Sequence, residues 1–429
     1  MLEDNIKGMM IGAAIGDALG YPLEIMGNKN TDGTKIKSVQ TFTDWTRVHK
    51  NRYFKCTEEI KAGTYSDDTQ LTLCVSRSYK NGVFSPQTMA LELSEWLAYQ
   101  TGGGRAVKAA AKNINFKNAD ESIWYKNFYE GYTYSGGNGA LMRITPHIAA
   151  NVKNKEFTAG LKNAIKDCLI THGHPHAIIA QIFYFTFLWV LTNKLPAEKA
   201  FKVAKEECTK RSLKNIGLLP DEWFEKYLEN NGCSYEKIEE ITMKEFLNKA
   251  LIVENAIKSN MPEKNLYEKL QATGKFKGSG INTALAAAYT VIKNDRSSFA
   301  ETVLIPANIF QCDTDTTACV AGAAKGLILG LAGIEKTLVS TLQDTEYIKL
   351  CAQALYNGSG HHAFQPSLTD KPLEYYRKNL TEINHGEVLK TRLFGSAVIV
   401  EKNMNETLLT ARIKTQSPEF TLIIKKIPK

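Results

Sequence analysis

A mainly α-helical fold is predicted for this chain of 429 residues: a compact helical bundle, a helical insertion and a small C-terminal β appendage. Three observations predict it. Helix signals separated by short polar connections dominate, as in Pro86 to Tyr99 and Cys319 to Leu331. Residues from about 200 to 277 are rich in Lys and Glu with nearly balanced charge, the pattern of helices with a solvated face. Strand-like runs are confined to the end of the chain. These boundaries give a helical domain over 1–383, carrying the insertion at 200–277, and a β-rich appendage over 384–429.

The first helix is read from Gly8 to Gly20, a glycine- and alanine-rich segment that is apolar all round. Glycines spaced by four present a smooth face to a neighbouring helix, at about 1 kcal/mol of propensity each. Tyr21-Pro22-Leu23-Glu24 follows, where the proline permits a turn that delivers the Glu24 carboxylate beside the glycine-rich end. Alone, Glu24 would read as a solvated loop acid.

Two acidic clusters stand far apart in sequence, Ser66-Asp67-Asp68-Thr69 and Asp313-Thr314-Asp315-Thr316-Thr317, each followed at once by a helix-like run. Either one alone is explained as a helix N-cap, since Ser, Thr and Asp cap helices with no chemistry attached. Capping needs one side-chain oxygen, however, and each cluster supplies at least three. Together they read as a split metal site, because converging carboxylates repel unless cations lie between them. Carboxylates and hydroxyls without histidine suit Mg²⁺ or Mn²⁺ better than Zn²⁺.

Ser135-Gly136-Gly137-Asn138-Gly139 precedes a helical run, so its backbone N–H groups can converge on an anion, although most glycine-rich turns bind nothing. Thr171-His172-Gly173-His174-Pro175-His176 holds three histidines. A loop of hydrogen-bonded imidazoles is favoured there over a zinc site, because no cysteine or spaced partner accompanies them. Ile178 to Leu191 is the most apolar stretch, too short to span a membrane, and reads as a central bundle helix. The last region gives three strands, Ser396 to Val400, Leu408 to Ile413 and Phe420 to Ile424, with turns at Lys402 to Asn405 and Thr415 to Glu419.

Taken in order, GAAIGDALGYPLE, YSDDTQLTL, GGGRAVKAA, SGGNGALMR, THGHPHA and CDTDTTACVAGAAKGLILG resemble the blocks of the ADP-ribosylglycohydrolase family, the helical hydrolases related to the dinitrogenase-reductase-activating glycohydrolase. The resemblance covers about residues 5–195 and 278–335. It implies an ADP-ribosylglycohydrolase-like bundle with two Mg²⁺ (or Mn²⁺) ions held by Ser66, Asp67, Asp68, Asp313, Asp315 and Thr316. It also implies that Gly136, Gly137, Asn138 and Gly139 cradle the pyrophosphate of ADP-ribose, with His172 near the ligand. Glu24, Asp67 and Asp68 are the implied catalytic carboxylates. Ser66 replaces a frequent Thr, and Gln311 and Cys312 stand where the family usually has two glycines. Cys312 would narrow the pocket unless its thiol is simply packed.

The resemblance implies a metal-dependent hydrolase that removes ADP-ribose from a modified macromolecule, with arginine on a protein as the expected linkage. The alternative is an immunity protein that binds and neutralises a cognate ADP-ribosyltransferase. Intact ligand positions favour catalysis. Composition agrees with a soluble enzyme at 43% hydrophobic residues, and the eight cysteines show no disulfide spacing, which suits the cytoplasm. From residue 370 onward, 11 Lys and Arg face 7 Asp and Glu, half of the net charge of +8. That excess lacks interleaved aromatics, so a protein contact or solvated surface is preferred to nucleic acid, and no membrane partner is expected.

Overall fold

The computed structural model describes residues 2–25, 28–50, 55–114, 119–359, 382–391, 395–404, 409–415 and 421–426. Within it the glycine-rich segment lies in a helix spanning Leu2–Glu24, buried from Gly8 to Pro22. Its neighbour is the helix Thr314–Leu329, and the two run antiparallel with backbones in contact. A Cβ at Gly12 would lie 2.4 Å from the Gly322 carbonyl oxygen, and one at Gly16 would lie 2.1 Å from that of Ala318. The seam is reciprocal, since a Cβ at Gly322 would come within 2.2 Å of the Gly12 oxygen. The predicted smooth face therefore meets a second one, written Gly322 and Gly326.

One expectation fails at the end of this helix. Pro22 lies inside the last turn rather than in a connecting turn, and Glu24 is the final helical residue. The ring deletes one backbone donor. The turn stays helical because it is buried against the neighbour, where the Thr314 hydroxyl donates to the Gly20 carbonyl at 2.8 Å.

The apolar stretch read as a central helix extends to Pro175–Thr192. At 18 residues it is long and apolar enough to cross a membrane by length and composition, which the shorter estimate excluded, yet 83% of it is buried among other helices. Tyr184 donates to the Val320 carbonyl at 2.6 Å, tying it to the glycine seam. Phe183 meets Phe201 and Phe246 at 5.4 and 5.6 Å between ring centres, and both belong to the insertion.

The segment expected to be helical from about 200 to 277 is so, with helices Ala197–Lys210, Asp221–Asn231, Tyr235–Lys258 and Glu263–Lys269. Along the third, Tyr235, Glu239, Thr242, Phe246, Lys249, Val253 and Ala256 are buried at helical spacing on one face. The opposite face carries exposed pairs such as Lys244–Glu240, which solvent screens and which add little to stability. The helix expected over Pro86 to Tyr99 ends at Trp96. Gln70 accounts for the early stop: its side chain donates to the Tyr99 carbonyl and accepts from Trp96 Nε1 and Thr101 N.

The C-terminal sheet has four antiparallel strands in chain order, Val388–Thr391, Gly395–Met404, Leu409–Thr415 and Thr421–Lys426. The first was not anticipated, being only four residues long. Lys402 to Met404 belong to a strand instead of a turn, held in register against Leu409 to Ala411. The remainder of that turn, Leu408, Phe420 and residues 416–419 lie outside the described residues. Leu409, Ala411 and Ile413 alternate inward. The sheet contacts the helical body at Asp344, whose carboxylate accepts from Thr421 N and Oγ1 at 3.2 and 2.8 Å and from Tyr65 at 2.7 Å. A small sheet of Lys29–Asn30, Trp45–Lys50 and Lys55–Ile60 was also unread, its short polar strands lacking a clear alternation.

The seam yields a stability test. Gly16→Ala should cost at least about 2 kcal/mol in urea unfolding, since its methyl must push two backbones apart. Gly104→Ala, at φ −64° with open space around it, should stay within about 1 kcal/mol.

Candidate active site

Antiparallel packing brings the C-terminus of helix Leu2–Glu24 beside the N-terminus of Thr314–Leu329. The N-terminus of helix Asp67–Arg77 arrives at the same place, and the three ends floor a cleft of about 940 Å³. The loops 102–104 and 135–139 line the cleft too, with Lys277 and His172. Every residue singled out from the sequence as a site candidate lines this cleft except Ser66, which is buried behind it.

Ser66 does cap its helix, accepting from Asp68 N at 3.4 Å. The same hydroxyl is 3.4 Å from Asp68 Oδ2 and 3.4 Å from Asp315 Oδ2, so it sits among acids from both clusters. Thr316 Oγ1 reaches Asp68 Oδ2 at 3.4 Å. Asp313 occupies the N-cap position of its helix but makes no capping bond. It accepts instead from the Asn138 side chain at 2.8 Å, with Lys277 Nζ at 3.7 Å. Capping therefore fails to explain the second cluster.

Two groups of carboxylates have oxygens within 4.8 Å of one another: Asp17 with Asp68 and Asp315, and Glu24 with Asp313 and Asp315. Asp315 is shared, so the geometry offers two adjacent places where a cation could be held. Burial and the charges of Glu24, Asp68, Asp313 and Asp17 push the Asp315 carboxyl well above its usual range. Asp68 is raised by burial and then by Asp17, Asp67 and Asp313. Glu24 is pushed up to about 7, by burial first and then by Asp313 and Asp67. Asp68 Oδ1 and Glu24 Oε2 are buried atoms with no hydrogen-bond partner.

Asp67 belongs to neither group. It faces the loop after Thr101, where Gly102 has φ +154° and a Cβ would fall 2.1 Å from Asp67 Oδ1. Burial raises its carboxyl, while the Gly103 backbone amide pulls it back. Only glycine lets that loop wrap so closely.

Asp17 was missed, although an acid within an apolar helix is itself a signal. Both of its oxygens are engaged: Oδ1 accepts from Ser66 N at 2.9 Å, and Oδ2 accepts from Thr69 N and Oγ1 at 2.9 and 2.6 Å. It positions the first turn of helix Asp67–Arg77 from outside. Arg47 was missed as well. It stands over the Tyr21 ring at 5.1 Å and bonds the Tyr21 hydroxyl and the Thr101 carbonyl.

The glycine loop differs from a simple anion cradle. Asn138 N donates to Gly278 O at 2.9 Å and Gly280 N to Gly136 O at 3.1 Å, so part of the loop is zipped to the start of helix Gly280–Lys293. A Cβ at Gly137 would meet only ordinary contacts, Gly278 O at 3.4 Å and His172 Nε2 at 3.7 Å. Behind the loop, buried Arg143 pairs with Asp167 at 2.8 Å, donates to Gly139 O at 2.8 Å and reaches Thr171 Oγ1 at 2.9 Å. Thr171 Oγ1 lies 2.7 Å from His172 Nδ1, which turns Nε2 toward the glycines. Burial and Arg143 push the His172 imidazole down to about 3, so it stays neutral.

His176 binds Ser279 and Glu245, and His174 accepts from His176 N, as expected of hydrogen-bonded imidazoles. Cys312 is buried with Sγ 3.4 Å from Thr317 Oγ1, a packed thiol that lies outside the cleft lining. Gln311 has φ +61°, the left-handed region where glycine is at ease.

The body is mainly helical, and its converging helix ends gather a buried carboxylate centre. The ADP-ribosylglycohydrolase profile matches residues 1–363, and the chain belongs to that family, the hydrolases of ADP-ribosyl linkages. It is similar to the ADP-ribosylarginine hydrolase Tri1 of Pseudomonas putida (strain GB-1), at 22% identity over 82% of this chain and 78% of that protein. The ADP-ribosyl-[dinitrogen reductase] glycohydrolase of Rhodospirillum rubrum is 25% identical over 49% of this chain and 64% of its own length. Among solved structures, an ADP-ribosylglycohydrolase-related protein complex superposes with a TM-score of 0.53 at 20% identity, covering 83% of this chain and 98% of that one.

The network behind the loop can be broken at one residue. Arg143→Met leaves Asp167 buried without its cation and should cost about 3–5 kcal/mol in urea unfolding. Arg143→Lys should recover little, because an ammonium cannot reach all three partners.

Proposed function

We propose that this enzyme hydrolyses the N-glycosidic bond between ADP-ribose and an arginine side chain on a protein, with two Mg²⁺ or Mn²⁺ ions. One observation supports this above the others: the floor of the cleft gathers buried acids from three helix ends and leaves Asp68 Oδ1 and Glu24 Oε2 unpartnered. The arginine linkage is supported by the Tri1 relatives from Pseudomonas and Serratia, which are named as ADP-ribosylarginine hydrolases and each align over 82% of the chain.

The donor set fits such ions. All of its atoms are carboxylate or hydroxyl oxygens, the chemistry of hard cations. Asp68, Asp313 and Asp315 would hold them, with Ser66 and Thr316 hydroxyls alongside, while Asp67, buried under the loop after Thr101, would complete the set. Bound there, the cations would orient a water and the ribose hydroxyls and make that water easier to deprotonate.

The chain's own groups would do the rest. Cleavage at the anomeric carbon passes through an oxocarbenium-like state, needing a proton taken from water and one given to the departing guanidine. Glu24, Asp67 and Asp68 are the carboxylates we assign to those two proton transfers. Glu24, at the end of its helix, keeps one buried oxygen without a hydrogen-bond partner, a position from which to move a proton. The backbone of Gly136, Gly137 and Gly139 would lie against the pyrophosphate, with His172 Nε2 beside it. Asn138 would act chiefly by holding Asp313 in place. The intact acid set argues for catalysis over sequestration of a transferase. Cys74, Cys168, Cys208, Cys312 and Cys319 are buried thiols outside any disulfide, which supports work in a reducing cytoplasm.

Release of ADP-ribose from ADP-ribosylated protein should require Mg²⁺ or Mn²⁺ and stop with chelator. Asp315→Ala should abolish it with the circular dichroism of the fold retained, and chelator-resistant release would exclude the binuclear reading. Gly137→Ala should fold normally, since its methyl meets no protein atom closer than 3.4 Å. Calorimetry should then show weakened ADP-ribose binding with metal binding intact. Equal losses of both would make the loop purely structural.

A further inference from the structure

On the far side of Glu24 from the glycine loop lies a second groove of about 600 Å³. It adjoins the cleft directly, because Glu24 and Lys277 line both. Leu23, Ile36, Ile309 and Phe310 make its surface apolar, and Lys35 and Lys37 stand at its edge. Phe310 is 67% exposed, a large ring turned to solvent. Its two walls come from segments far apart in sequence and are clamped together. Asn308 accepts from Val39 N at 2.7 Å and donates to Val39 O at 2.8 Å, so the groove exists before anything enters it.

A glycosidase must hold both sides of the bond it cuts. Glu24 lies between the two cavities, so if ADP-ribose fills the side of the glycine loop, the departing group leaves toward the groove. A lone arginine would occupy only part of such a volume. From this we propose that the groove binds the polypeptide around the modified arginine, taking an apolar side chain against Phe310 and acidic neighbours against Lys35 and Lys37. The proposal rests on the arginine-linked hydrolase reading and makes the target's local sequence a determinant of turnover. Solvent-exposed apolar surface beside a catalytic centre, rimmed by one sign of charge, is what such recognition requires.

Three substrates test it: free ADP-ribosylarginine, a peptide with Leu beside the ADP-ribosylated arginine and Glu flanking, and the same peptide with Ser and Lys at those positions. For the native enzyme kcat/KM on the Leu/Glu peptide should exceed the other two by roughly tenfold, the scale of burying one large apolar side chain. Phe310→Ser should erase most of that ratio through KM, and Lys37→Glu should reverse the charge preference. A ratio unchanged in both variants overturns the proposal. Fluorescence anisotropy of the labelled, unmodified Leu/Glu peptide supplies a readout independent of turnover. Weaker binding to Phe310→Ser supports the groove even if free ADP-ribosylarginine is not cleaved, a result that would sink the arginine reading alone. Equal binding to both proteins sinks the groove whatever the turnover.

Discussion

The close approach of two helix backbones, Leu2–Glu24 against Thr314–Leu329, is the constraint on which the site depends. No side chain separates them at Gly12, Gly16 or Gly322, so their relative height and rotation are fixed by main-chain contact. Glycine in a helix interior costs about 1 kcal/mol, and the seam carries several. The return is positional. With the helices antiparallel, the end bearing Glu24 must lie beside the start bearing Asp313 and Asp315, and a shift of one turn would move them apart by about 5.4 Å.

That geometry also sets an electrostatic problem. The starts of helices Asp67–Arg77 and Thr314–Leu329 both point at the floor of the cleft, and their dipoles favour nearby carboxylates by roughly 0.3–1 kcal/mol each. Asp68, Asp315 and Asp17 are nearly fully buried within a few ångströms of one another. The dehydration of one buried ion alone exceeds what a helix dipole returns, at several kcal/mol. Helix ends therefore cannot balance the cluster, whereas cations among the oxygens can. Asp17 differs from the others in that both of its oxygens already serve the amides of Ser66 and Thr69. The site thus contains an acid that positions and others left available for chemistry.

Legibility followed chain locality. The glycine spacing, the two acidic clusters and the helical insertion are local patterns, and each appears in the structure where it was read. What escaped depends on contacts between distant segments. Pro22 reads locally as a helix stop, but burial against Thr314 carries the turn onward. Asp17 and Ser66 are 49 positions apart, and their bond leaves no mark in either neighbourhood. Asn138 was read as part of an anion cradle, and its bond to Asp313, 175 positions away, has no local signature. The first strand of the C-terminal sheet, Val388–Thr391, is defined by its pairing with residues 395–398 more than by its own four residues.

The departure from the family's paired glycines shows how a local cost and a distant use are joined. Gln311 sits at φ +61°, where a side chain costs on the order of 1–2 kcal/mol and glycine would not. Loss of the glycine must be offset by what the segment gains. Cys312 fills a buried site against Thr317, and the tight turn, closed by Cys312 N to Ile309 O at 3.1 Å, leaves Phe310 facing outward. A flexible Gly-Gly pair could relax this turn and let the ring fold away. With Gln-Cys the thiol packs the turn from inside against Thr317 and the Asn308 clamp borders it from outside, with the Phe310 ring left exposed.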